Sequence, residues 1–316
     1  MKALVTGAAG FVGSNISRRL ISEGMDVVGI DAITDYYDPE IKLRNLQAIG
    51  NRGFTFIHED LNHAALGKLL DGVDYIFHQA GQPGVRKSWG KDFSTYLDAN
   101  VHATQRLLEH CKDSSTLKRF VYASSSSVYG DAATFPTSED QLPQPLSPYG
   151  VSKLAAEHLC SLYAANFGVP TVSLRYFTVY GPGQRPDMAF TRFVKAIIQG
   201  TPIEIYGSGN QIRDFTYVDD IVEANLRAAL RPSPKGSIFN VAGGSNISVN
   251  EAIVTLERLM GHELKRNYVG RVAGDVVRTG GDTTKIKATL DWSPHVSLEE
   301  GLQRHLAWGK GLFAKD

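Results

Sequence analysis

Tyr149 and Lys153 stand four residues apart in Tyr149-Gly150-Val151-Ser152-Lys153. On a helix this spacing puts a phenol and an ammonium on one face. A phenol has a reference pKa near ~10, too high for a base at neutral pH unless nearby positive charge stabilises the phenolate. The ammonium supplies such charge, and a phenolate can take a hydroxyl proton while hydride leaves the same carbon. An exposed helical pair is the competing reading, so other residues must agree. Ser124-Ser125-Ser126-Ser127-Val128-Tyr129-Gly130 ends a predicted strand, the edge where open α/β sheets bind ligands. Four consecutive hydroxyls are more than a turn needs.

The oxidant is suggested by Thr6-Gly7-Ala8-Ala9-Gly10-Phe11-Val12-Gly13, which joins a predicted strand to a predicted helix. The spacing G-x-x-G-x-x-G departs from the G-x-G-x-x-G fingerprint. The requirement is the same: glycines let backbone approach a pyrophosphate, whose charge then sits at a helix N-terminus. Asp31 ends the next strand, about the expected ~20 residues on, and can accept both ribose hydroxyls. It would repel a 2′-phosphate, and Ala32-Ile33 brings no arginine to offset that, so NAD is expected rather than NADP. Asp60, beside Leu61, follows another strand and could accept from the adenine amino group. A tight turn for the glycines, a turn or N-cap role for Asp31 and an exposed loop carboxylate for Asp60 are the plainer readings.

Strands are predicted at Lys2–Thr6, Val27–Ile30, Phe54–Ile57, Tyr75–His78, Phe120–Ala123 and Thr171–Tyr176, and helices at Phe11–Glu23, Ala64–Leu70, Ser94–Cys111 and Tyr149–Phe167. This alternation predicts an α/β fold, a doubly wound parallel sheet covered on both faces. After Tyr176, Gly181-Pro182-Gly183 and Arg185-Pro186 break the pattern. A helix over Phe190–Gln199, a strand over Ile203–Tyr206 and a helix over Asp219–Leu230 follow, before a loop over Arg231–Gly236. Residues 1–176 are therefore read as the dinucleotide domain, with part of 215–242 returning to it. Residues 177–316 are read mainly as a smaller α+β substrate domain, with the site in the cleft between.

Composition narrows the classes. The 316 residues are 42% apolar and 21% charged, with 33 basic and 33 acidic side chains and no formal net charge. A whole-chain basic field for nucleic acid is absent. Cys111 and Cys160 form no C-x-x-C, so neither a disulfide framework nor a metal site is expected. The early glycines do not suit a signal peptide, and no run reaches the ~18 apolar residues of a membrane span. A cytoplasmic protein with no membrane partner is expected.

Together Gly7/Gly10/Gly13, Asp31, the serine strand end and Tyr149/Lys153 resemble the extended short-chain dehydrogenase/reductase family, the NAD-dependent epimerases and dehydratases. The resemblance extends through Arg175–Pro182 and Arg213–Asp220. It implies a Rossmann domain with a small sugar-nucleotide domain, Ser125 bonding the sugar oxygen, Tyr149 as base, and Lys153 tuning Tyr149 and holding the nicotinamide ribose. It also places Gln79, Ala80 and Tyr176 at the cofactor, where Gln79-Ala80-Gly81 departs from the usual Leu-Ala-Ala. Homodimers through a four-helix contact are common among relatives, which would use Ser94–Cys111 and Tyr149–Phe167.

Dehydratases of this family resemble one another in carrying Asp-Glu before Val-Tyr-Gly, and decarboxylating relatives commonly carry Glu at the second position. Here the positions are Ser126 and Ser127, which favours simple return of the hydride, an epimerase. Gly84–Trp89, containing Arg86, and Gly183–Ala189 resemble segments of UDP-glucuronate 4-epimerases, and Thr178 stands where galactose-type relatives usually have Asn. That resemblance implies a 4-ketohexuronate, a β-keto acid that loses CO2 when the breaking bond is perpendicular to the carbonyl plane. Ser126, Ser127 and Thr178, with Arg185, would hold the carboxylate out of that orientation. The alternatives are a diphosphate or surface contact for Arg185 and packing for Thr178. Arg213 and Arg271 are expected at the diphosphate and Asp275 at the uridine ribose, with surface charge as the alternative. Competing functions are a UDP-glucuronate decarboxylase, a neutral UDP-hexose 4-epimerase, and a catalytically silent nucleotide-binding regulator.

Overall fold

The computed structural model of the protein describes residues 1–271 and 274–314. The N-terminal part alternates as expected. It runs through β1 (Lys2–Thr6), α1 (Phe11–Ser22), β2 (Asp26–Asp31), α2 (Pro39–Ile49), β3 (Phe54–His58), α3 (Leu66–Leu69) and β4 (Tyr75–His78). Then follow α4 (Phe93–Tyr96), a π-helical segment over Leu97–His102, α5 (Ala103–Cys111), β5 (Arg119–Ser125), α6 (Pro148–Phe167) and β6 (Thr171–Tyr176). The remainder comprises β7 (Thr178–Tyr180), α7 (Ala189–Gln199), β8 (Ile203–Tyr206), β9 (Ile212–Arg213), β10 (Phe215–Tyr217) and α8 (Val218–Leu230). It ends with β11 (Ser237–Val241), β12 (Ile247–Ser248), α9 (Val249–Met260), β13 (Arg266–Val269), α10 (Thr284–Leu290) and α11 (Leu298–Phe313).

Seven parallel strands form the main sheet in the order β11-β6-β5-β4-β1-β2-β3. Strand β1 shows why it lies near the middle. Its side chains alternate between two cores, Ala3 and Val5 with Ile16, Leu20 and α8, and Leu4 with Ile76, Phe120 and helices α5 and α6. A strand buried on both faces reads as a continuous apolar run. Because the strands are parallel, Gly7, Asp31, Gln79, Ser125 and Tyr176 all come to the same edge of the sheet, at or just beyond the C-terminal ends of their strands. Beyond Tyr176 the chain makes three two-stranded pairs, β7 with β10, β8 with β13 and β9 with β12, while β11 joins the main sheet beside β6.

One helix was not expected and two expected ones change. Helix α2 was not anticipated; Lys42 is its only buried residue, and its apolar side chains stay half-buried or exposed. Ala64–Leu70 holds only the single-turn α3. The helix expected over Ser94–Cys111 widens into a π segment, a form found mostly at functional sites. Within it Asn100 receives the Gln82 amide at 2.7 Å and donates to the Gln82 carbonyl and Ser152 hydroxyl at 3.1 and 2.9 Å. No described helix is long and apolar enough to cross a membrane.

Candidate active site

The sheet edge opens into a cleft of about 1040 Å³, lined from the glycine turn at one end to β8 and α7 at the other. That exceeds the usual span of single-ligand pockets, ~300–1,000 Å³. At the first end Gly7 adopts φ +68°, and a Cβ there would lie 2.8 Å from the Ala80 amide nitrogen. A Cβ on Gly13 would lie 2.1 Å from the Gly7 carbonyl oxygen. These two glycines are required by packing of the turn on β4 and on α1, which lets the turn lie flat. Gly10 caps α1 without a side-chain bond, and Phe11, Val12 and Gly13 line the cleft. First-turn amides lack intrahelical acceptors and carry the positive end of the helix dipole, so this surface suits a pyrophosphate.

Asp31 lines the same end, where its two oxygens accept from Ala9 N at 3.1 Å and Ile33 N at 2.8 Å. Asp60 accepts from Asn62 N at 2.7 Å. The turn roles are thus real for both carboxylates. Each oxygen keeps a further lone pair for a ligand, and both side chains face the cleft beside Leu61. Lys42, unread in the sequence because α2 was, is buried with its ammonium on Thr34 O and Oγ1 at 2.9 and 3.0 Å. Burial lowers its pKa, with Asp31 and Asp35 opposing. Gln79 and Ala80 form the cleft floor. Gln79 donates to Asn225 Oδ1 and accepts from the Tyr176 hydroxyl, both at 3.2 Å, so the departure at this position locks Tyr176 to α8.

Tyr149, Lys153 and Ser125 meet at the centre of the cleft. The Ser147 hydroxyl caps α6 by accepting from Gly150 N at 3.1 Å, and Pro148 occupies the first turn, which fixes where the helix begins. Ser125 ends β5 and accepts from Ser127 N at 3.1 Å. Burial raises the pKa of Tyr149, and the groups that oppose this are the Ser125 hydroxyl and the Arg185 guanidinium. In the protein alone the positive charge that opposes this rise is that of Arg185. Burial lowers Lys153 to about 8. Its ammonium lies 4.5 Å from the Tyr122 ring centroid and finds no hydrogen-bond partner among the described residues, leaving three donors for a ligand.

Ser126, Ser127, Thr178 and Arg185 line the cleft beside Tyr149. Arg185 bonds Asp187 with two parallel contacts of 3.0 and 2.9 Å and lies 5.9 Å from the ring of Tyr36, a further cleft residue not read in the sequence. At the far end Arg86 stacks 4.0 Å from the Tyr206 ring and Arg192 lies 4.7 Å from it. Asp275 lines that end, but its carboxylate is bound by Arg213 at 2.6 Å. Arg213 also donates to Ile212 O and Val276 O, both at 2.8 Å, and Arg271 is exposed and bonds Asp275 O at 3.0 Å. Neither Arg213 nor Arg271 lines the cleft; both brace the segment that presents Asp275. Arg192 and Tyr206 were missed. Tyr206 ends a predicted strand and could have been marked as a platform, but the arginines that stack on it come from distant segments.

The sequence profile of the NAD dependent epimerase/dehydratase family matches residues 3–242. A UDP-glucuronate 4-epimerase of Thermodesulfobacterium geofontis (strain OPF15) is 41% identical over 313 residues, covering 97% of this chain and 95% of that protein. An uncharacterized UDP-glucose epimerase, YtcB, of Bacillus subtilis (strain 168) is 43% identical over 318 residues, covering 99% of each. The solved UDP-glucuronic acid 4-epimerase from Bacillus cereus, in complex with UDP-glucuronic acid and NAD, superposes with a TM-score of 0.95 at 44% identity, covering 99% of this chain and all of that one.

Proposed function

The chain belongs to the NAD dependent epimerase/dehydratase family, and on that premise we propose that it is an NAD-dependent 4-epimerase interconverting UDP-glucuronate and UDP-galacturonate without decarboxylation. One observation carries the reading. Tyr149 sits with Ser125, Lys153 and Arg185 at the middle of a single cleft, and Ser126 and Ser127 supply no acid where an elimination would need one. The relatives named for UDP-glucuronate support the substrate. NAD fits the first end through the Gly10–Gly13 surface, Asp31, Asp60 and the unpartnered ammonium of Lys153. When bound, it supplies reversible acceptance of hydride from C4 of the sugar.

The chain's own residues handle the proton and the orientation. Tyr149 takes the C4 hydroxyl proton as the phenolate and later returns it. Ser125 bonds the C4 oxygen in both directions of the reaction. Lys153 holds the nicotinamide ribose and adds positive charge to the tyrosine's surroundings once the site is filled. Arg86 and Arg192, on the Tyr206 platform, hold the diphosphate end, so the 4-keto sugar can swing about its link and present its other face. Ser126, Ser127, Thr178 and Arg185 keep the carboxylate near the carbonyl plane, where its C–C bond cannot break easily. Residues 177–316 supply most of the sugar-nucleotide contacts.

The enzyme acts as a homodimer in the cytoplasm. Val151 and Leu162 on α6 and Leu97 on the π segment are exposed apolar side chains on the two helices where the family resemblance would put the pairing surface.

Incubation of the purified protein with UDP-glucuronate, followed by NMR of the products, tests the function. UDP-galacturonate alone is expected; a UDP-pentose with CO2 would make it a decarboxylase. A neutral-hexose epimerase is the second reading, favoured by the pairing of Arg185 with Asp187. Turnover of UDP-glucose with none of UDP-glucuronate would establish it instead.

A further inference from the structure

Glu157 lies one helical turn beyond Lys153 and two beyond Tyr149 on α6, and it is fully buried. Its Oε2 accepts from Ser124 Oγ at 2.6 Å and from Arg175 Nε at 2.9 Å, while Oε1 accepts from Arg175 Nη2 at 2.6 Å. Arg175 Nη1 donates to the Tyr129 hydroxyl at 2.7 Å, and that hydroxyl donates to Asn240 Oδ1 at 2.7 Å. Ser124 and Arg175 are register partners on β5 and β6, one residue before the next pair, Ser125 and Tyr176. One carboxylate therefore ties together the three elements that bring Tyr149 with Lys153, Ser125, and Tyr176 to the cleft.

Packing alone does not call for this arrangement. Buried ion pairs are expensive to desolvate, and apolar groups of the same volume often hold elements together as well or better. We propose that Glu157 is a positioning residue for the reaction, which through Ser124 and Arg175 fixes the ends of β5 and β6 against the Tyr149–Lys153 face of α6 and sets a negative charge one turn from the ammonium. The groups facing Lys153 are Tyr149, Glu157 and Cys160 from α6, His78 from β4 and Tyr122 from β5. Burial holds His78 neutral by lowering it to about 3, with the Lys153 charge adding to that effect. Burial also raises Cys160 and Tyr122, which keeps both neutral. Glu157, whose carboxylate also pairs with Arg175, is then the negative side chain one turn from Lys153 on α6. Burial lowers Lys153 to about 8, and the charge of Glu157 opposes that fall.

The inference rests on Tyr149 and Lys153 being the reacting pair. It is tested with Glu157→Gln, Glu157→Asp and Ser124→Ala, by kcat, KM, the pH profile of kcat, thermal midpoint and bound NAD measured by absorbance. Glu157→Gln should lower kcat roughly 10- to 100-fold, with KM changed less than about threefold, since small misplacements act on the chemical step. It should also move the alkaline limb of the profile to lower pH, because the ammonium loses the negative charge one turn away. Glu157→Asp should lower kcat but leave that limb in place, and Ser124→Ala should do the same with a smaller loss. Folded, NAD-loaded variants with wild-type kcat and limb, or variants altered only in thermal midpoint, would overturn the proposal. If Glu157→Gln does not fold, Ser124→Ala decides: full kcat there would overturn it. An inert wild type, or full activity in Tyr149→Phe, would instead defeat the functional reading and the positioning claim with it.

Discussion

Arg185 illustrates how one side chain can serve two ends. Its guanidinium acts on the Tyr149 phenol across the cleft and is bonded twice by Asp187. A sugar carboxylate entering the cleft has to meet an arginine whose charge is already partly balanced. In the proposed reading, planar bidentate recognition would make Arg185 the strongest of the groups assigned to the carboxylate. Replacing it with alanine is expected to lower turnover of UDP-glucuronate by roughly thirtyfold, on the scale of ~2 kcal/mol for a charged hydrogen bond. A UDP-pentose and CO2 should then appear beside the epimer, because the carboxylate is free to rotate out of the carbonyl plane. Product NMR over a time course checks this; unaltered product composition would assign Arg185 to the diphosphate or the surface. Arg185, Thr178 and the serines could be read from the sequence because each stands in a short motif. The Arg185–Asp187 tie could not: local spacing allows it, but only the fold of 181–188 imposes it.

Among the elements, α11 carries a testable acid-sensitive group. His305 is fully buried between Phe190 and Trp308, shares a hydrogen bond with Thr191 Oγ1 at 3.3 Å, and leaves Nδ1 without a partner among the described residues. Burial lowers its pKa to about 3. The unfolded value is near ~6.5, so between these two the unfolded chain binds a proton that the folded chain does not. The stability this group contributes is present above ~6.5 and is lost as pH falls toward 3, by about 1.4 kcal/mol per pH unit. His305→Phe should keep stability at pH 7 within ~1 kcal/mol, since it also removes an orphaned polar atom, and should lose less stability than wild type between pH 7 and pH 5. Denaturant titrations at both values measure the difference, and equal losses would contradict it; His78 contributes alike to both proteins.

The same scale shows what the sequence could reveal. Strands β1, β4, β6 and β8 were legible to the residue: β1 and β4 are short apolar runs bounded by turns, and β6 and β8 alternate apolar with polar side chains. Helix α2 was not, since its apolar residues Ile41, Leu43, Leu46, Ala48 and Ile49 do not line up on one buried face, and with it went Lys42, which lines the cleft near Asp31. The π segment was invisible because its cause, Asn100 bonding Gln82 and Ser152, lies in tertiary contacts. The Glu157–Arg175 pair was hidden for a similar reason: a helix residue and a strand residue are joined only once α6 packs on the sheet.

For the molecule as a whole, the cleft edge and the α6 surface are separate faces, and the proposed dimer would use the second. Leu162 is 55% exposed on α6, beside a shallow groove formed with Ala155, His158, Leu159 and Ser161. Leu162→Asp should convert the expected dimer to a monomer in light scattering and leave the monomer folded, because the side chain packs on nothing within the chain's cores; a monomeric wild type would reject the dimer.

The account depends most on hydride leaving C4 and returning to the same carbon while Tyr149 handles the proton. UDP-glucuronate deuterated at C4, turned over to equilibrium in ordinary water, tests this directly. UDP-galacturonate is predicted to keep the deuterium at C4, with none released to solvent. Deuterium washed out into water would mean that C4 loses a proton rather than a hydride, and would contradict the proposed chemistry of this cleft.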